Sequence, residues 1–286
     1  MSKSSNLLAI SSLFLTASLW GVVWYPLRAL ESVGLVGLWS ILLIYGGAAV
    51  LAGFLLPQCW TEIKQNSRLL FVLALGAAWC NVAFILAIID GNVIRIMLLF
   101  YLSPVWSTLL GWWLLSERLT TREWITLVVA MSGAVIMLWD VSLGFPWPQD
   151  TADWLSLTAG MAFSISNIAV RKLQAVSIKS KTLVSWWGVS YLTIAWIFVS
   201  DASIPTIEPS VIFWAAGIGI IVVTLMTITV QYGVTHMPVY RSAVILLFEL
   251  VVGAVSSQWL TDEVVLMSEW MGGGLIVMAA YFSAKS

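Results

Sequence analysis

Ten runs of mainly apolar residues follow one another along the chain, each close to the roughly 20 needed to cross a bilayer as a helix. They cover residues 7–27, 35–56, 68–89, 93–115, 122–139, 152–171, 182–200, 209–231, 239–260 and 266–283. Only 9% of the residues are charged, against about 25% in soluble domains. So few charges leave a soluble fold without a polar surface, whereas a bilayer accepts an apolar one. The 18 Trp agree, because indole rings favour the membrane boundary. The run from Leu7 to Leu27 is long for a signal peptide and ends in Trp20-Gly21 and Trp24-Tyr25 rather than a cleavage site, so it is expected to stay as a first helix.

The polar breaks set the orientation. With the N-terminus in the cytoplasm, every Lys and Arg except Arg28 and Arg95 falls on the cytoplasmic side, as the positive-inside rule requires. The opposite loops are acidic, with Asp150, Asp153, Asp201, Glu208 and Asp262 among them. Both termini are then cytoplasmic in a plasma (inner) membrane. The break Gly144-Phe145-Pro146-Trp147-Pro148 separates two halves, 1–143 and 149–286.

The halves echo each other. At one constant offset, Val93-Ile94-Arg95 falls on Val239-Tyr240-Arg241, Trp113-Leu114 on Trp259-Leu260 and Glu117 on Glu263. A second, nearby offset sets Leu15-Thr16-Ala17 on Leu157-Thr158-Ala159, and one residue of slip sets Arg28 on Arg171. Five spans is an odd number, so the second half lies upside down relative to the first. Inverted repeats are a common plan of secondary transporters, with the site at the repeat interface. The expected fold is therefore an all-α membrane protein of ten helices in two inverted five-helix repeats.

Several of these residues also carry a likeness. Trp20-Gly21, Leu99-Phe100-Tyr101-Leu102-Ser103-Pro104, Ser116-Glu117-Arg118-Leu119-Thr120 and Gly133 resemble the first half of EamA-type proteins of the drug/metabolite transporter superfamily. Phe248-Glu249 and Asp262-Glu263 repeat the pattern more faintly. The resemblance implies a central cavity open to one side at a time. It also implies export of amino acids, other metabolites or toxic compounds without ATP. One departure concerns helix nine, where the family often has Glu-Pro and Leu250 follows Glu249 here. The expected break in that helix thus loses its proline, while Pro104 keeps the break in helix four.

Glu249 is the one acid placed deep in the membrane, where a charge costs on the order of 3 kcal/mol by insertion scales. It reads either as a proton-coupling or cation-binding carboxylate, or as a neutral acid bonding two helices. Arg95 and Arg241, matched by the repeat, either hold an anionic solute or stay at the interface, Arg95 beside Asp90. Asn81 and Asn167 should turn inward, lining the cavity or bonding helix to helix. Trp20 and Tyr101 gain a place in the cavity from their motif positions. Pro104 weakens the helix-four ladder, and Glu117 and Glu263 read as packing or gating residues at helix ends.

Other chemistry lacks its parts. The two Cys and one His make no metal-site spacing, there is no phosphate-binding GxxxxGK[ST] loop, and the net charge of −1 gives no footing for nucleic acid. No cofactor, metal or enzymatic activity is expected. The expected partners are a small-molecule solute, membrane lipid and protons as coupling ion; the alternative function is a membrane channel or a non-transport membrane protein. Reporter fusions at Lys285 and near Asp150 should report opposite sides of the membrane. The same side for both would overturn the five-plus-five arrangement.

Overall fold

The computed structural model describes residues 3–55, 57–139, 144, 147–262 and 264–285. These form helices and turns, without strands among the described residues. The helices are α1 (Lys3–Ser32), α2 (Gly37–Leu55), α3 (Cys59–Gln65), α4 (Ser67–Asp90), α5 (Val93–Phe100), α6 (Ser103–Leu115), α7 (Thr121–Leu138), α8 (Thr151–Lys172), α9 (Ile178–Val199), α10 (Pro209–Ile218), α11 (Thr224–His236), α12 (Val239–Leu246), α13 (Phe248–Leu260) and α14 (Met267–Lys285). A π-turn at Gly219–Val223 joins α10 to α11.

Eight helices or coaxial pairs are long and apolar enough to cross a membrane. These are α1, α2, α4, α5–α6, α7, α9, α10–α11 and α12–α13. The sequence-based count of ten includes two more, α8 and α14, which fall short of that threshold. Their composition explains it. Helix α8 mixes hydroxyl side chains with Asp153, Arg171 and Lys172, and α14 carries Glu269, three consecutive glycines and Lys285. Helix α8 is also wrapped by α4, α5 and α6, so much of its surface needs no apolar coat.

The packing pairs match two by two. Helix α4 lies on α8 and α9, while α10–α11 lies on α1 and α2. Likewise α5–α6 lies on α8, while α12–α13 lies on α1. Helices α7 and α14 pair with each other, as do α2 and α9.

The break in helix four follows from its sequence. Pro104 has no amide hydrogen to give to the carbonyl four residues back, at Phe100. The chain makes a tight turn at Tyr101-Leu102, with Leu102 N–H donating to Leu99 O at 3.3 Å. The Phe100 carbonyl faces Gly160 of α8, where a Cβ would stand 2.7 Å from it. Helix nine breaks as well, at Leu247, although it lacks the proline. Leu250 N–H there donates three residues back to Leu247 O, at 3.0 Å. Gly21 of α1 packs at that break, its Cβ position 2.7 Å from the Glu249 carbonyl. At both breaks a glycine of a neighbouring helix lets its backbone approach closely.

Capping closes other helix ends. Thr120 and Glu123 form a reciprocal capping box on α7, and Tyr240 donates its hydroxyl to the same Glu123. Gly133 of α7 and Gly272 of α14 face each other. A Cβ on Gly133 would lie 2.6 Å from the Gly272 carbonyl, and one on Gly272 would lie 2.5 Å from the Gly133 carbonyl. Gly272→Val is expected to part these helices and cost on the order of 1–3 kcal/mol, the usual penalty of overpacking. A thermal melt in detergent checks this, and an unchanged midpoint would contradict the contact.

Candidate functional site

Where the two helix breaks meet, α1, α5, α6, α8, α12, α13 and the Tyr101 turn surround a small cavity of about 10 Å³, room for about one water. Its walls are chiefly aromatic and aliphatic. Trp20 comes from α1, Phe100 and Tyr101 from the first break, Phe163 from α8, and Leu246 and Leu247 from the second break. The rings form an edge-on chain. Trp20 meets Phe163 at 5.8 Å between centroids, Phe163 meets Phe100 at 6.0 Å, and Phe100 meets Tyr101 at 5.5 Å. Ser103 and Pro104 add a small polar and a rigid edge.

Glu249 also lines this space. It is the second residue of α13, so the Leu247 turn carries it to the cavity wall. Tyr101 lines the same space. The acid of helix nine therefore stands beside the aromatic of helix four, where the two breaks meet. The Cys80 thiol of α4 lies within electrostatic reach of the same carboxylate. Glu249, Tyr101, Trp20 and Pro104 thus line one space.

The arginines and amides do not join them. Arg95 is ion-paired with Asp153 at 2.8 Å and donates to the Trp147 carbonyl at 2.7 Å. Its partner is Asp153 rather than the neighbouring Asp90, because Asp153 stands in the first turn of the adjacent α8. Arg241 donates to the carbonyls of Ser283 and Ala284 at 2.8 and 3.4 Å, where the last turn of α14 has acceptors to spare. Neither arginine lines the cavity. Asn81 donates to Ala77 O at 2.9 Å within its own helix, and Asn167 is buried in α8. Neither amide is among the lining residues.

A polar network closes the end of the bundle where Lys and Arg gather. Glu117 follows α6, whose C-cap Ser116 takes a left-handed conformation with φ 57°. One Glu117 oxygen pairs with Arg171 of α8 at 3.1 Å, and the other accepts from Val239 N–H, the first residue of α12, at 2.8 Å. Arg171 donates in turn to Thr235 O of α11 at 2.7 Å. One ion pair thereby joins four helix ends. Lys181, fully buried, donates to the Thr235 hydroxyl at 2.7 Å and to Leu173 O at 3.2 Å. Glu263, the repeat counterpart of Glu117, lies outside the described residues.

Sequence reading missed three contributors. Phe163 is one aromatic among many, and only the fold brings it to Trp20. Lys181 counted simply as a positive charge. Glu62 of α3 sat in a break, yet it accepts from the hydroxyls of Ser177 and Ser180 at 2.6 and 2.5 Å, tying the start of α9 to α3. The alignment of Arg28 with Arg171 was the one signal that marked Arg171.

The comparisons bear on this geometry. Residues 7–139 match the EamA-like transporter family. An uncharacterized transporter of Pseudomonas aeruginosa is 26% identical over 69% of this chain and 64% of its own length. An uncharacterized transporter of Archaeoglobus fulgidus is 23% identical over 79% of this chain and 80% of its own. Protein RarD of Escherichia coli is 26% identical over 50% of this chain. This chain thus spans less than two thirds of the Pseudomonas relative and 48% of the RarD relative. One solved crystal structure superposes with a TM-score of 0.78 at 15% identity, covering 98% of this chain and 95% of the other, a likeness of fold. The matched segment holds Trp20, Phe100, Tyr101 and Pro104 of the cavity, and Glu117 of the polar network. Its helices are those of a multi-pass membrane protein.

The Glu62 tie carries a pH signature. The hydroxyls of Ser177 and then Ser180 hold its carboxyl below the ordinary carboxylate range. A depressed folded-state value means stability that is present above the unfolded value and is lost as the pH falls through the folded one. Between neutral pH and about 4, near the free carboxyl value, the wild-type thermal midpoint is expected to fall further than that of Glu62→Gln. Parallel curves would show that the tie contributes nothing.

Proposed function

We propose that the protein is a secondary active transporter that exports small metabolites by alternating access. In this reading ten helices span the plasma membrane as two inverted halves, 1–143 and 149–286, with both termini cytoplasmic. The observation that carries it is the meeting of the two helix breaks at a cavity lined by Glu249 and Tyr101. Interrupted helices at the repeat interface are where secondary transporters place their solutes.

The packing supports a direction of opening. At the basic end α12 lies on α6 and α11 lies on α8. The corresponding pairs at the acidic end, α5 with α13 and α4 with α1, make no contact of comparable extent among the described residues. With the basic end cytoplasmic, this conformer is closed to the cytoplasm. Glu117 and Arg171 form the closure, and their separation admits the solute. Glu263 takes the corresponding role at the acidic end when the halves rock the other way. Glu249 changes protonation or partner during that motion, with protons as the coupling ion. Family likeness places amino acids and toxic compounds among the solutes, and no ATP site is needed.

Glu249→Gln keeps the shape of the side chain and its capacity to hydrogen-bond, but removes the titratable group. In proteoliposomes, wild-type protein should show saturable counterflow of labelled solute. The variant should lose accumulation driven by a pH gradient while retaining exchange. Unsaturable flux would instead indicate a channel. Accumulation by a folded variant with unchanged pH dependence would end the coupling role of Glu249.

A further inference from the structure

The basic end of the bundle carries a second recognition surface, apart from the cavity. Arg122 stands in the first turn of α7, a helix apolar enough to cross a membrane, so its guanidinium lies where the hydrocarbon layer ends. Lys285 ends α14, which packs along α7. Two rings complete a row between these cations. The Arg122 guanidinium lies over the Phe282 ring, 5.6 Å from its centroid. Phe282 meets Tyr281 edge-on at 5.8 Å, and the Lys285 ammonium stands 4.3 Å from the Tyr281 centroid. All four side chains are exposed. We propose that this row binds the headgroup of an anionic phospholipid, whose acyl chains run along the outer face of α14.

Charge argues this first. The acids at this end, Glu62, Glu117 and Glu123, are engaged elsewhere. Glu62 holds the hydroxyls of Ser177 and Ser180, Glu117 holds Arg171 and the Val239 N–H, and Glu123 holds Thr120 and Tyr240. Among the described residues neither Arg122 nor Lys285 has an ion pair. A guanidinium has five N–H donors and an ammonium three. Lys285 gives one of these to the Tyr281 hydroxyl, and Arg122 keeps all of its own. A phosphate diester accepts such donors, a guanidinium matching two of its oxygens at once. Clusters of basic residues at the membrane surface recognise anionic headgroups in this way.

Position argues it next. Buried Arg241 donates to the Ser283 and Ala284 carbonyls, which holds the last turn of α14 in place. The cations fold back onto the rings instead of reaching into water, and exposed rings favour the depth of the headgroups. Gly274, Met278, Tyr281 and Lys285 follow one another at helical spacing on one face of α14. Met278 is exposed, and a Cβ on Gly274 would meet nothing within 4 Å. An open apolar track thus leads from the row into the hydrocarbon layer. A soluble phosphate gains the charge contacts alone, whereas a lipid gains the track as well. None of these side chains lines the cavity, so the proposal stands apart from the transport reading.

Native mass spectrometry of the purified protein, titrated with phosphatidylglycerol and with phosphatidylcholine of the same acyl chains, tests the site. Wild-type protein should bind its first phosphatidylglycerol about tenfold or more tightly than phosphatidylcholine, at about fivefold for each cation. The double variant Arg122→Gln, Lys285→Gln should bring the two lipids close to equal affinity. Lys64→Gln with Arg68→Gln, at the same end but on α3 and α4, should leave the preference standing. Glycerol phosphate should not displace the bound lipid. A second measurement needs no variant and serves if the double variant misfolds. Phosphatidylglycerol should raise the thermal midpoint of the wild-type protein, and most of that rise should vanish in about 1 M salt, where charges are screened beyond about 3 Å. Equal binding of the two lipids overturns the proposal, as does a double variant that keeps the preference or a rise that ignores salt. Equal loss in the Lys64, Arg68 variant would make the attraction general to this end and overturn the site. Displacement by glycerol phosphate would overturn the lipid as its occupant.

Discussion

Inside a hydrocarbon layer a backbone carbonyl has no water to turn to, and this one constraint organises the structure. Every spanning segment is a helix because only a helix satisfies its own backbone. The exceptions are correspondingly few and well placed. Pro104 frees the Phe100 carbonyl, and Gly160 allows α8 to lie against it. The Leu247 turn interrupts helix nine without a proline, and Gly21 closes on it in the same way. The two places where the ladder fails come together in the interior, shielded from lipid. The cavity forms there because turns, unlike helices, leave their neighbouring side chains free of the regular packing rows.

This arrangement also explains how a carboxyl group persists so deep. Glu249 is carried to the wall by a turn, not buried in a packed face, and Tyr101 lines the same space. The acid comes from helix nine and the phenol from helix four, so the two breaks bring together residues that lie far apart in the sequence.

Much of this was legible in the sequence. Apolar run length and scarcity of charge gave the helices, and the short motifs around Trp20, Tyr101, Pro104 and Glu249 marked residues that do meet at the cavity. The count of spans was less direct. Helix α8 is shielded by neighbours and tolerates polar side chains, while three glycines and end charges dilute the apolar signal of α14. The break in helix nine was harder, since without a proline it depends on the approach of α1, a contact that no local pattern records. Arg95 and Arg241 illustrate a third limit. Their matched positions were visible, but their partners Asp153 and the end of α14 are set by tertiary packing. Neither the sequence spacing nor the repeat distinguishes a ligand for solute from a cap for a helix.

The Glu117–Arg171 pair has a bearing on ionic conditions. Glu117 also receives the N–H of Val239, so its charge stands at the positive end of the α12 dipole as well as beside a guanidinium. The two side chains are only 15% and 19% exposed. Mobile ions screen surface charges over about 8–10 Å at physiological strength, but reach partly buried pairs much less. The pair therefore holds through ordinary changes of salt that would weaken a surface ion pair. What breaks it is the parting of the four helix ends it joins, so it answers to the packing of those helices and not to the composition of the surrounding fluid.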